Sequence, residues 1–493
     1  MTPQRPNIVL ILSDEQHTET VGCYGGLPAR TPAADRLAAE GMRFDSAFCC
    51  SAICSPSRAA LFTGQLPHRF GDVANDLTIA HGTANLAGLL RRAGYRLGFS
   101  GKWHVDHATV PTMHGFEGQD FPGYGFPAWM FTRPIDPAEM RRKPNAYYEY
   151  LMECGFEVPT LTDAQPVFEK ERPLVIHGRQ SGPVEASIPY FVGEQGVRLA
   201  ESLCRRREMD GQPFFLSVNF WGPHNPCYIP EPYFSMFDPR SIPEPPSSRD
   251  KYENKPRVHA LMSHYWGMNG APWSFWQEHL ARYLGYGALI DDQVARVRQA
   301  LEAAGQMENT LFVFATDHGD MIGRHQIMDK GPTMYDDTYR VPMIVRGPGV
   351  RRGTCNEFVY LHDLFPTILE AAGAQAAACD AQSLMPLLGG MEGNASQGSP
   401  AWASREEVFG EFDRQIYHYP QRMVRTRRHK LVYNAADICE LYDLERDPHE
   451  MNNRIDDPDY AAVKRDLRDR LLTHLKATGD RQAFTLDAVG WAM

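Results

Sequence analysis

The pentapeptide Cys54-Ser55-Pro56-Ser57-Arg58, followed by Ala59-Ala60-Leu61-Phe62-Thr63-Gly64, puts a thiol at the start of a helix and an arginine one turn on. Pro56 suits the first helical position, Ser55 suits the N-cap, and Gly64 is a natural stop. The free N–H groups and dipole at such a helix start attract an oxyanion, so the spacing predicts an anion site built around a nucleophile. A buried structural thiol in a proline-capped helix is the competing reading of Cys54. Other reactive groups converging on it decide between the two.

Several candidates stand just after apolar runs. Asp14-Glu15 follows the run 7–12, and Asp317-His318-Gly319-Asp320 follows the run 310–315. Their carboxylates are hard oxygen ligands that could share one divalent cation, with His318 as a nitrogen ligand. Each pair alone also suits a solvated turn or a helix cap. Gly101-Lys102-Trp103-His104 follows the run 96–100, and Trp221-Gly222-Pro223-His224 follows the run 214–220. Lysine and histidine at such positions can neutralise a tetrahedral anion and move protons, although a surface lysine and two loop histidines explain each segment taken singly.

These runs must be strands for the residues to meet. Continuous apolar strands separated by helices predict an α/β fold with a large, mostly parallel sheet sandwiched by helices. In such a sheet ligands bind beyond the carboxyl ends of the strands, where the candidates lie. Residues 279–304 have helical spacing and lead into the strand at Thr310, with Gly305 as the stop. The Gly- and Ser-rich stretch 389–400 reads as a linker, giving a catalytic domain over 1–395 and a smaller subdomain over 396–493. Within the latter, 422–433 and 438–444 predict a small antiparallel sheet and 459–475 a closing helix. The region 121–187, rich in Pro, Tyr and Trp, predicts an elaborate loop system near a site.

Composition narrows the function classes. The chain has 493 residues, 43% hydrophobic, with 50 basic and 61 acidic side chains and a formal charge of -11. No basic block tracks a nucleic-acid backbone, so a small anionic substrate needs a local basic pocket. No apolar run is long enough for a signal core or a membrane span. Ten irregularly spaced cysteines make neither a disulfide framework nor a CxxC pattern, which predicts cytoplasmic residence with reduced thiols. The tail 477–493, with Trp491, offers a surface for a neighbouring subunit in a homo-oligomer.

Cys-x-Pro-Ser-Arg followed by Thr-Gly resembles the signature of the type I sulfatases, a branch of the alkaline phosphatase superfamily. The segments at Asp14, Lys102, His224 and Asp317 match that family in type and order, as does Lys330 in Asp329-Lys330-Gly331. Glu440-Leu441-Tyr442-Asp443-Leu444 and the residues after it resemble the family's C-terminal subdomain motif. The resemblance implies an alkaline phosphatase-like fold and Cys54 oxidised to formylglycine by a formylglycine-generating enzyme. It implies a metal held by Asp14, Glu15, Cys54, Asp317 and His318, although Glu15 stands where many members have Asp or Gln. The expected ion is Ca2+, with Mn2+ and Mg2+ as alternatives.

The implied reaction is hydrolysis of an organic sulfate monoester of a sugar, alkyl or aryl alcohol. One hydroxyl of the hydrated aldehyde attacks sulfur, and the other later expels sulfate; an unmodified thiol would offer no comparable second step. Arg58 would hold the hydrate, Lys102 and Lys330 would bind sulfuryl oxygens, His224 would protonate the leaving alcohol, and His104 would take the proton that releases sulfate. His177, Arg179, Trp103 and Trp129, with Trp273 and Trp276, are candidates to touch the organic part. Two alternatives stay open: phosphonate monoester or phosphodiester hydrolysis at the same site, and a non-catalytic metal-binding module that keeps Cys54 as a thiol.

Overall fold

The computed structural model describes residues 5–75, 77–120, 145–164, 175–375, 377–389 and 401–489. Five parallel strands lie side by side in the order Thr310–Thr316, Asn7–Asp14, Phe214–Pro223, Arg96–Gly101 and Glu117–Asp120. Beyond Thr310–Thr316 come Met343–Arg346, antiparallel to both neighbours, then Met42–Phe44 and the edge strand Gly353–Cys355. The sheet is thus mostly parallel, with eight strands.

Both faces are covered, which is why its central strands are mostly apolar and buried along almost their whole length. Ile8, Leu10 and Leu12 enter one core beneath the helices Cys54–Thr63, Leu86–Arg92 and Leu364–Ala371. Val9 and Ile11 enter the other, beneath Pro32–Glu40, Ile188–Asp210 and Trp273–Ala303. The last of these helices begins six residues before the expected 279, because extended Pro272 delivers the chain straight into a helical turn that buries Trp276. No described helix is long and apolar enough to cross a membrane.

A second sheet, antiparallel and four-stranded, comprises Glu407–Arg414, His418–Thr426, His429–Asn434 and Glu440–Asp443. The helix Ala461–Thr478 covers one face through Leu467, Leu471 and Leu475. Val408, Phe412, Met423 and Val432 on the other face join the first core. The linker at 390–400, the expected boundary at 395, Trp129 and Trp491 lie outside the described residues.

Candidate active site

The helix Cys54–Thr63 starts two residues earlier than Pro56 alone would place it. Ile53 is its N-cap and offers no side-chain hydrogen bond, so Ser55 is not the cap. Asn75 takes over that duty from outside the helix: its Oδ1 accepts from Ser55 N at 3.1 Å, and its carbonyl accepts from Ser55 Oγ at 3.0 Å. Gly64 ends the helix in the left-handed region at φ 69°, as expected.

Four groups from three chain segments converge at the strand ends. One ligand atom each from Asp14, Cys54, Asp317 and His318 lies within 4.8 Å of all the others, and all four residues are buried. Cys54 Sγ is 3.2 Å from His318 Nε2 and 3.7 Å from Asp14 Oδ1. His318 Nδ1 is 2.9 Å from the Gly319 carbonyl, an acceptor only, so Nδ1 carries a proton and Nε2 faces the thiol; against burial, Asp317 and Cys54 raise this imidazole. Arg58 donates from Nε to Asp317 Oδ2 at 2.8 Å and from Nη1 to the Lys102 carbonyl at 3.0 Å.

Lys102 is placed by close backbone approach. Gly101 sits at φ +98°, and a Cβ there would come within 1.9 Å of the Asn219 carbonyl oxygen. Lys102 then donates through Nζ to Asp14 and lies over the Trp221 ring, 4.9 Å from its centroid. On the opposite side Lys330 Nζ is 2.9 Å from Glu15 Oε2, 2.8 Å from Asp329 Oδ1 and 2.8 Å from His224 Nε2. His224 Nδ1 donates to the Asn225 carbonyl at 2.6 Å, leaving Nε2 for chemistry.

Electrostatics follow from this packing. Burial opposes ionisation of Cys54, yet Lys102, Lys330 and His318 hold its thiol well below the ordinary range. Against burial, Arg58 and then His318 hold Asp317 at about 2, whereas burial and the Asp317 charge raise Asp14. Burial also lowers His104, which hydrogen-bonds Cys54 and is therefore a neutral proton acceptor. Asp14, Asp317 and Nε2 of His318 come together as a donor set, the imidazole being able to exchange its Nε2 proton for a cation, and Glu15 Oε1 and Arg58 Nη2 are buried without a hydrogen-bond partner. This set fits a divalent cation, whereas Glu15, expected as a further ligand, groups instead with His224 and Asp329 and pairs with Lys330.

The Sulfatase family matches residues 6–374, and the C-terminal family of N-sulphoglucosamine sulphohydrolase matches residues 323–477. The chain belongs to the sulfatase family. It is 30% identical to the uncharacterized sulfatase YidJ of Escherichia coli K12 over 97% of this chain and 88% of that one. It is 26% identical to the N-acetylglucosamine-6-O-sulfatase of Bacteroides thetaiotaomicron over 94% of this chain and 85% of the relative. The fold matches that of the phosphonate monoester hydrolase of Silicibacter pomeroyi with a TM-score of 0.75 at 24% identity, covering 98% and 96% of the two chains. This sulfatase therefore has the alkaline phosphatase-like architecture expected of its family.

The expected residues of the sulfatase site separate into three groups. Asp14, Cys54, Arg58, Lys102, His104, Asp317 and His318 meet around the thiol; Glu15, His224 and Lys330 form the adjoining cluster. The described substrate candidates engage other partners. Trp103 is buried against Phe62 and Phe99, with ring centroids 5.0 and 5.4 Å away, because its strand-end position turns it into the first core. His177 is buried beside His279, 5.8 Å between centroids, and burial lowers it to about 4. Arg179 is part-exposed and paired with Asp163 and Glu231, while Trp276 is buried against Phe275 and Trp273 packs on the second core. Packing and surface pairing thus account for residues whose types suggested recognition.

Sequence reasoning missed Trp221, Asn75 and Asp329. Trp221 had a usable signal, since it opens the same strand-end segment as His224. Asn75 had none: its role depends on a loop returning to the helix start.

Proposed function

We propose that this sulfatase hydrolyses the sulfate monoester of a small polar alcohol, a sugar ester foremost, using a nucleophile generated on Cys54. The observation that carries it is the placement of Cys54 Sγ among His318, Asp14, Lys102 and Lys330, a site matched to a tetrahedral anion. The N-acetylglucosamine-6-O-sulfatase relative supports a sugar ester. Formylglycine at Cys54 would supply, as its hydrate, a nucleophilic hydroxyl together with a second hydroxyl that permits sulfate release. A divalent cation, Ca2+ or alternatively Mn2+ or Mg2+, held by Asp14, Asp317, His318 and the group at position 54, would supply Lewis-acid polarisation.

The chain's own side chains do the rest. Arg58 fixes Asp317 and stands one helical turn from Cys54, and Lys102 and Lys330 present ammonium groups to the sulfuryl oxygens. His224 holds its ring through Nδ1 and delivers a proton from Nε2 to the leaving oxygen; Lys330 Nζ, at 2.8 Å, can replenish it. His104, kept neutral by burial, takes the proton from the second hydroxyl.

The test is peptide mass spectrometry across Cys54, with and without a co-expressed formylglycine-generating enzyme, alongside turnover of matched sulfate, phosphonate and phosphodiester esters. Conversion of thiol to aldehyde lowers the mass by about 18 Da, and turnover of the sulfate ester should track it. Preferential turnover of the phosphorus esters would select the rival hydrolase instead. Metal uptake with Cys54 left as the thiol and no turnover, even with the co-expressed generating enzyme, would select the non-catalytic module.

A further inference from the structure

Lys330 is delivered by a loop whose backbone is strained. Ile322, His325, Gln326 and Asp329 have φ of 39°, 53°, 52° and 70°, and Ile322 is β-branched. At the base of the loop Asp320 Oδ1 accepts from Ile322 N at 2.7 Å and from Asp329 N at 3.1 Å. The segment 250–255 holds its tip: His325 Nδ1 lies 2.6 Å from Asp250 Oδ2, Gln326 Nε2 donates to the Asp250 carbonyl at 3.1 Å, and Tyr252 donates its hydroxyl to the His325 carbonyl. The His325 ring also stacks on Tyr335, 3.8 Å between centroids. Of the eleven non-glycine residues at positive φ among the described residues, seven lie in this loop or against it, Tyr252, Asn254 and Glu450 being the other three. Strain so concentrated persists only where the surroundings over-determine it.

Lys255 joins this brace to the C-terminal subdomain. It is buried, and Nζ donates to Asp250 Oδ2 at 2.5 Å, to the Tyr335 hydroxyl at 3.1 Å and to the Glu450 carbonyl at 2.7 Å, which uses all three of its N–H groups. Its ammonium also lies over the Tyr442 ring, 5.6 Å from the centroid. The Glu450 carboxylate accepts from Asp336 N at 2.9 Å and from Lys430 Nζ at 2.7 Å. Tyr442 and Glu450 belong to the motif that begins at Glu440, which the reaction leaves unused. The chain is thus gripped on both sides of Lys330, at His325 and at Asp336, by contacts that converge on Lys255 and Glu450. A buried ion pair such as Lys255–Asp250 adds little net stability over an apolar replacement, so stability alone does not account for it.

We propose that Lys255 is a positioning residue for the reaction: by tying Asp250 and Tyr335 to Glu450, it lets the C-terminal subdomain set where the strained loop presents Asp329 and Lys330 to the sulfuryl group. Lys330 Nζ lies within 3 Å of Glu15, Asp329 and His224, so a loop displaced by about 1 Å would misplace it. The proposal rests on the sulfate ester hydrolase reading of the site and adds to it a role for the subdomain.

The test compares the formylglycine-bearing enzyme with its Asp250→Asn, Lys255→Met double variant, which removes both charges and leaves His325 an acceptor, on 4-nitrophenyl sulfate and N-acetylglucosamine 6-sulfate. The variant should keep a melting temperature close to the parent's while kcat/KM falls roughly ten- to hundredfold. In a Lys330→Ala background the same two substitutions should change kcat/KM less than about threefold, because the lysine being positioned is gone. Parent-like kcat/KM in the folded variant, or an equal loss with and without Lys330, overturns the proposal while leaving the hydrolase reading intact; the equal loss would assign Lys255 to structure alone. If the double variant does not fold, Lys255→Gln, which keeps two N–H donors, is read by the same criteria. No turnover of either ester by fully converted parent enzyme overturns the hydrolase reading and the proposal with it.

Discussion

Arg58 and Asp317 are both wholly buried, and Nε of the arginine lies 2.8 Å from Oδ2 of the aspartate. The other carboxylate oxygen, Oδ1, accepts from Glu15 N and His318 N, each at 3.0 Å. Taking two charges out of water costs about as much as their attraction returns, so such a pair contributes little net stability. Its effect is orientation: Arg58 on one carboxylate oxygen and two backbone donors on the other hold Asp317 beside Cys54.

Arg58→Ala should therefore be far more damaging than the modest worth of the intact pair suggests. It leaves the Asp317 carboxylate buried without its counter-charge, a defect that costs about 3–5 kcal/mol. Urea unfolding of the variant against the parent measures this. A loss below about 1 kcal/mol would mean that His318 and the backbone donors suffice for Asp317.

His224→Ala should discriminate among leaving groups. With Nε2 removed, esters of alkyl alcohols lose a proton donor that they need, whereas nitrophenyl sulfate departs as a stable anion. The expected loss is roughly 10²- to 10⁴-fold for alkyl sulfates and much less for nitrophenyl sulfate. Uniform loss across a leaving-group series would assign His224 to binding instead.

Chelation should lower both activity and melting temperature. Asp14 and Asp317 are buried like charges beside Nε2 of His318, so a cation bound to the folded state stabilises it by mass action. At a hundredfold excess over its Kd an ion adds about 2.7 kcal/mol. Thermal unfolding after chelator treatment and re-addition of Ca2+, Mn2+ or Mg2+ ranks the ions, and an unchanged melting temperature in Asp317→Asn on re-addition identifies that ligand.

The parts of this site that could be read from the chain are those placed by strand ends. The runs that end before Asp14 and Asp317 are nearly all apolar, and those before Lys102 and His224 admit only a few small or polar residues such as Gly98, Ser217 and Asn219, because the sheet is buried on both faces, so their boundaries and the groups after them stand out. Residues whose role depends on contacts distant in sequence left no such mark. Asn75 caps a helix it does not belong to, and Glu15 turns Oε2 toward Lys330. Trp103 and His177 show why residue type alone is a weak signal here: aromatic and imidazole side chains serve packing as readily as recognition, and both make buried ring contacts.

A last prediction concerns stability rather than catalysis. Asp291, on the helix Trp273–Ala303, accepts from Ala33 N at 2.7 Å and from Ala34 N at 2.9 Å, capping the helix Pro32–Glu40 from outside. Burial outweighs both hydrogen bonds and pushes its carboxyl from 3.8 up to about 7. Between those values the folded chain binds a proton that the unfolded chain has released, so folding stability falls as pH rises. The contribution is fully present below about pH 4 and lost above about pH 7, with an upper bound of about 4 kcal/mol. Asp291→Asn keeps one acceptor and cannot titrate. Its urea midpoint should trail or match the parent near about pH 4 and gain on it near about pH 8, and parallel curves across that interval would show that Asp291 is ionised throughout.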